Sequence, residues 1–213
     1  MTSLLTSPDL TELEAEFQPL ELSLDAQNLL FREARTANAF TDEPVTEEQI
    51  RAIYDLAKWG PTAMNSQPLR VVLVQSPEAR ARLVEHMAGG NRARTEAAPL
   101  VAVLAADHDF HDDFHKTFPA FPGARDVFSD ESARIASAHL SAGLQVGYFI
   151  LAVRAAGLAA GPMGGFDAEA VSREFFPDGR HQALLVVNIG QPAAEAFRPR
   201  QPRLDFSDVV TSV

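Results

Sequence analysis

Residues 135–153 read IASAHLSAGLQVGYFILAV, the longest apolar run in the chain. By length alone this segment could cross a bilayer. Its composition points elsewhere. His139, Gln145 and several Ser and Gly interrupt the run, and Arg134 and Arg154 close its ends. A helix apolar on every side is one that protein surrounds. The small residues Ala136, Ala138, Ala142, Gly143 and Gly147 let a second helix come close, a pattern that also suits a subunit interface. A lone membrane span is the alternative. The reading adopted is a long buried helix over 131–156, with Gly157 as its C-terminal stop.

The segments around this helix alternate in period. LRVVLVQS (69–76), PLVAVLAAD (99–107) and QALLVVNIGQP (182–192) read as buried strands. Residues 44–60, PVTEEQIRAIYDLAKWG, read as a helix. Thr46 with Gln49 three residues on forms a capping box, Ile50, Ile53, Tyr54 and Ala57 repeat at helical spacing, and Gly60-Pro61 stops it. Further helices are expected over 23–34, with Leu24, Leu29, Leu30 and Phe31 inward, over Pro77–His86, and from Asp167 as N-cap. Strands alternating with helices make the class α/β or α+β around one central sheet.

The chain has 213 residues, enough for one domain with extended arms. The expected division is an acidic arm over 1–22, a domain over 23–197 and an Arg- and Pro-rich arm over 198–213. The absence of Cys excludes disulfides, thiolate catalysis, Fe–S clusters and Cys-ligated zinc, and fits a reducing cytoplasm. A net charge of -11 with scattered basic residues argues against a nucleic-acid partner. The N-terminus has no basic region followed by an apolar one, so it does not read as a signal peptide.

GPMGGF (161–166) is glycine-rich but lacks the G-x-G-x-x-G spacing, and neither a P-loop nor a G-x-S-x-G elbow is present. His108, His111 and His115 could hold a divalent metal on one helix face. The competing reading is a solvated face backed by Phe110, Phe114 and Phe118. Polar knots recur instead: EARTANAF (33–40), WGPTAMNSQP (59–68), GGNRART (89–95) and FRPRQPR (197–203). Each alone reads as a helix end, a loop or a solubilising tail. Together they supply what a flavin mononucleotide needs. Arg suits its phosphate, Asn, Ser or Thr its ribityl hydroxyls, and a close-approaching glycine backbone its N5.

In this order the motifs EARTANAF, WGPTAMNSQP, GNRARTEAAP, GPMGGFD and PRLDF resemble the FMN-dependent nitroreductase family. Within it they are similar to the branch that includes the malonic semialdehyde reductase of pyrimidine degradation. The resemblance implies an α+β fold with a central mixed β-sheet flanked by helices, a long buried dimer-interface helix and swapped terminal arms. It places Arg35, Thr36 and Asn38 in the family's N-terminal flavin segment. Ala34 and Asn38 stand where the family often has basic residues, which shifts phosphate binding towards Arg200 and Arg203. Pro61, Thr62, Ala63, Asn65 and Gln67 match a segment that reaches the flavin of the other subunit. Asn91 and Arg94 match residues at the flavin's pyrimidine edge, and Pro162, Met163, Gly164 and Gly165 the loop that meets N5. The implied activity is two-step hydride transfer from NADH or NADPH through FMN to a small aldehyde, in a cytoplasmic homodimer, with no catalytic side chain required. The alternatives are a nitroreductase or quinone reductase, a metal-binding module, and a flavoprotein without turnover.

Overall fold

The computed structural model describes residues 20–213, so the acidic arm expected over 1–22 lies outside the described residues for positions 1–19. The described residues divide into two units between Ala34 and Arg35. In the first, Ser23 caps helix α1 (Leu24–Gln27), which runs on as a π-turn over Asn28–Arg32. The Glu33 N–H closes that turn on Asn28 O at 2.9 Å. This i→i−5 closure breaks the 3.6-residue repeat behind the expected inward set. Leu29 and Phe31 are exposed, and Gln27 is buried.

The second unit holds α2 (Glu47–Ala57), β1 (Leu69–Val74), α3 (Pro77–His86), α4 (Gly89–Glu96), β2 (Leu100–Asp107), α5 (Phe114–Thr117), α6 (Ala124–Val127), α7 (Glu131–Ala155), β3 (Ala159–Met163), α8 (Ala168–Phe175), β4 (His181–Gly190) and α9 (Phe206–Val209). The strands form one sheet in the order β1-β2-β4-β3. All three pairings are antiparallel, where the family resemblance implies a mixed sheet. The α+β class holds.

β2 is buried at every position, as befits a strand covered on both faces. Leu100, Ala102 and Leu104 pack with Ile53 and Ala57 of α2 and with Phe149, Ala152 and Val153 of α7. Val101, Val103 and Ala105 point the other way, onto Leu83 of α3 and Val171 of α8. The period-2 alternation of one strand thus builds both cores. Each fully buried Val or Leu contributes about 1.5–3 kcal/mol by its burial.

The capping box of Thr46 and Gln49 is present. Gly157 ends α7 at φ 76°, with its N–H on Arg154 O (2.9 Å) and the Leu158 N–H on Val153 O (3.2 Å), a Schellman arrangement. β3 does not follow from periodicity, because Gly161 and Pro162 lie inside it. As an edge strand it tolerates the proline. Gly161 has a packing reason: a Cβ there would lie 2.6 Å from Ala37 O.

α7 departs from the expectation of burial on every side. Within one chain only one face is covered. Leu140, Leu144 and Tyr148 are 70%, 46% and 41% exposed, and a Cβ at Gly143 or Gly147 would touch nothing. The polar residues on the covered face are in use. Ser141 Oγ accepts from the Ala63 N–H (3.3 Å) and Gln145 Oε1 from the Leu69 N–H (3.0 Å).

Candidate functional site

The segment read as a polar turn, GGNRART, is the helix α4. Its lack of an apolar stripe and its two leading glycines hide it from pattern reading. Helical spacing puts Asn91 and Arg94, at i and i+3, on one face. The Arg94 Nη1 donates to Asn38 Oδ1 at 2.8 Å and its Nη2 donates to Asn91 Oδ1. Asn91 Nδ2 in turn donates to Gly165 O at 2.8 Å. Asn38 Nδ2 reaches the Thr36 and Ala196 carbonyls, both at 3.3 Å. The Ala37 N–H bonds to Ala160 O (2.9 Å), which fixes this segment along β3. Three segments far apart in sequence, 35–38, 91–94 and 162–165, therefore meet in one place.

Two details show unused hydrogen-bonding capacity in this cluster. Arg94 Nε is buried without a partner among the described residues. Gly164 and Gly165 are exposed, and their N–H groups bond to no described residue. Gly165 has no room for a side chain, since a Cβ would lie 2.7 Å from Asn91 Nδ2. Gly164 has open space and no left-handed backbone, so the chain itself does not demand glycine there. Pattern reading missed one member. Asn188 is fully buried in β4, and its Nδ2 donates to Arg94 O at 3.0 Å. A lone amide in the apolar strand LLVVNIG is the signal that marks it.

The segment Pro61–Gln67 lies apart from this cluster. It leads into β1, while the Gly-Gly turn follows β3, and these are the opposite edges of the sheet, roughly 14 Å apart at strand spacing. Among the described residues no hydrogen bond joins the two places. The segment is a strained ledge: Met64, Asn65 and Gln67 have φ of 51°, 54° and 45°. Such backbone persists where the surroundings enforce it, and it clusters at functional sites. Thr62 Oγ1 accepts from the Gln67 N–H (3.2 Å), and Gln67 Nε2 donates to Asn65 Oδ1 (3.0 Å). Asn65 Nδ2 donates to Thr117 O at 2.6 Å, tying the ledge to the Phe-rich segment after β2.

Arg200 and Arg203 are exposed, and Arg203 Nη1 donates to the nearby Gln201 and Pro202 carbonyls at 3.0 and 3.1 Å. Arg35 stacks over Phe197 at 5.0 Å and donates to Arg198 O at 3.3 Å. The three histidines do not converge. His108 faces His139 (3.0 Å), and His115 Nδ1 bonds to Asp112 O (2.8 Å). His111 is buried edge-on to Phe110. Among the described residues no group of three His, Asp or Glu could hold a metal ion. Phe110 and Phe114 are core residues, and Phe114, Phe118 and Phe121 also line a cavity of about 410 Å³ with His111, His115 and Arg125.

Residues 31–191 match the nitroreductase family. A Streptomyces coelicolor protein named as a candidate NADH dehydrogenase/NAD(P)H nitroreductase is 60% identical over 197 residues, spanning 91% of this chain and 100% of its own. One from Leptothrix cholodnii with the same name is 52% identical, over 85% of this chain and 92% of its own. Among solved structures, a nitroreductase from Exiguobacterium sibiricum in complex with FMN superposes with a TM-score of 0.78. It covers 91% of this chain and 99% of its own at 19% identity. The Bacillus subtilis nitroreductase ydfN gives 0.79 at 22% identity, covering 90% and 100%. By fold, by sequence match and by these relatives, the chain belongs to the nitroreductase family.

Proposed function

We propose that the chain is an FMN-dependent NAD(P)H oxidoreductase that reduces a small aldehyde such as malonic semialdehyde to the hydroxy acid, as a homodimer with its flavin sites at the subunit interface. The observation that carries the flavin reading is the Asn38–Arg94–Asn91–Gly165 chain, which ends in two free backbone N–H groups. The residues present fit the cofactor. Arg94, a half-buried guanidinium, offers positive charge to an electron-rich ring edge. Gly164 and Gly165 let a ring come close to the backbone. Arg35, Arg200 and Arg203 are the cations for the phosphate. When bound, FMN supplies the hydride chemistry.

Three features support the dimer. The bare face of α7 is apolar. The ledge is a sheet's width from the cluster of its own chain, which suits it to a partner's site. A groove of about 450 Å³ between α2 and the edge strand β1, lined by Ile50, Tyr54, Leu69 and Val71, matches the exposed Leu204, Phe206 and Val209 of a partner's arm. The acceptor is read into the Phe-lined cavity beside the ledge. Arg125 there is paired with Asp112 at 2.9 Å, so an acceptor's carboxylate would compete with Asp112 for it. His115 must donate its Nδ1–H to a carbonyl, which leaves Nε2 to exchange a proton with the acceptor's oxygen. The lack of Cys fits a cytoplasmic setting.

A second reading keeps the site and makes the acceptor a nitroaromatic or quinone. Phe114, Phe118 and Phe121 favour it by offering aromatic faces to a flat ring. Steady-state kcat/KM for malonic semialdehyde and for a nitrofuran ranks the two, the first reading requiring the larger value for the aldehyde. The flavin placement has its own test. Gly164→Ala is expected to leave stability within about 0.5 kcal/mol, because the new methyl meets nothing in the chain, while flavin retention falls. Full flavin occupancy in that variant removes the Gly-Gly turn from the site.

A further inference from the structure

His108 and His139 present their Nε2 atoms to each other at 3.0 Å, with ring centroids 5.2 Å apart. His139 lies on α7, next to Ala138, which packs with Phe110 and Phe114. His108 begins the Phe-rich segment and is held by its backbone. Its N–H donates to Arg180 O and its carbonyl accepts from Arg134 Nε, both at 2.9 Å. The imidazole pair therefore ties the start of segment 108–128 to the long helix, beside Arg134, which also holds Phe128 O at 3.1 Å.

An Nε2–Nε2 hydrogen bond needs a donor on one ring and a lone pair on the other. Two neutral rings satisfy it, and so does one proton shared by the pair. Two protonated rings cannot, because both nitrogens are then donors. The charged groups around His108 do not rescue a second proton. Asp107 is committed to Arg70 (2.9 Å) and Arg180 (2.8 Å), and Asp109 faces Arg134 at 3.4 Å. His181, on β4 and paired with Asp178 at 2.8 Å, adds a third ionisable ring nearby. Burial first, then the facing His139, holds His108 below the ordinary imidazole range, against the opposing pull of Asp109 and Asp107.

We propose that His108 and His139 form a pH-operated latch, in which protonation of both rings weakens the hold of α7 on the Phe-rich segment 108–128 and raises the population in which it opens. The closed form carries at most one of these protons and the open form two. The closed-to-open ratio therefore falls about tenfold for each pH unit below the titration of the pair. Release reaches the ledge as well, since Thr117 O holds the Asn65 amide. The pH dependence comes from the two rings, while Arg134 of α7, on His108 O and Phe128 O (3.1 Å), supplies a tie that does not titrate, so the latch stands or falls independently of the acceptor and of the flavin.

Amide hydrogen exchange on the full chain, corrected for intrinsic rates, tests the latch between about pH 5 and pH 8. The protection of residues 110–128 relative to that of β2 is expected to hold steady at the alkaline end and fall about tenfold per unit at the acid end. His139→Gln keeps a neutral hydrogen-bonding partner and is expected to leave only the smaller pH dependence that the burial of His108 causes, and His108→Gln removes that part as well. NMR titration of the wild-type rings needs no variant, and two coupled steps are expected. A flat ratio in the wild type overturns the proposal. So does an unchanged slope in either Gln variant, or independent titration of the two rings.

Discussion

Replacing Arg94 by Met is expected to yield a protein that purifies with little or no flavin, with FMN affinity reduced roughly 30- to 100-fold, or about 2–3 kcal/mol. Met retains an apolar stem of similar length, so the change isolates the guanidinium. That group positions Asn38 through Nη1 and Asn91 through Nη2, and its Nε is the buried donor without a partner. Its removal takes away the positive charge at the proposed pyrimidine edge and frees both amides to turn. The fold should survive. The side chain is only half-buried, and the bond from Asn188 goes to the Arg94 backbone carbonyl, which Met also has. Absorbance of bound flavin per protein gives occupancy, and fluorescence titration of the stripped protein gives Kd. Wild-type occupancy in the variant would sink the placement of Arg94 at the cofactor.

The elements with a clean period were legible in the sequence. The capping box at Thr46, the helix Pro77–His86 and the strands beginning at Leu69 and Leu100 emerge where their patterns place them. Three features carry no such signal, each for a physical reason. β3 contains Gly161 and Pro162, which punctuate a pattern even where an edge strand accepts them. α4 shows no apolar stripe, because its buried face is Asn91 and Thr95. Of the left-handed residues Met64, Asn65 and Gln67, only Asn65 is of a type that favours that backbone, and the hydrogen bonds that anchor the ledge to α7 and the Phe-rich segment join residues far apart in sequence. The candidate site was legible as residue types in order, since Asn38, Asn91, Arg94 and Gly165 do meet. Its wiring was not. That Arg94 braces both amides, and that Asn188 sits beneath it, depends on three elements converging in space.

Asp107→Asn is expected to lower stability by about 3 kcal/mol and Tm by roughly 6–12 °C. Asp107 ends β2 and is 1% exposed. Arg180 grips it with two hydrogen bonds, both of 2.8 Å, and Arg70 lies at 2.9 Å. The carboxylate thus ties β1, through Arg70, to the start of β4, through Arg180. The bond to Asp107 also makes the Arg180 guanidinium still more basic than usual. Asn keeps the shape but loses the charge and turns an N–H₂ towards a guanidinium, so two cations are left around a buried neutral group. Both guanidinium groups are about a third exposed, so water screens part of the loss, and the expected value sits at the low end for a broken buried pair. The exposed pair Arg51–Glu47 provides the contrast. Its side chains are 75% and 72% exposed, and Arg51→Ala should change stability by less than about 1 kcal/mol. Thermal unfolding of both variants in parallel decides the matter: a shift for Asp107→Asn no larger than for Arg51→Ala would mean that β1 and β4 are held by the sheet alone.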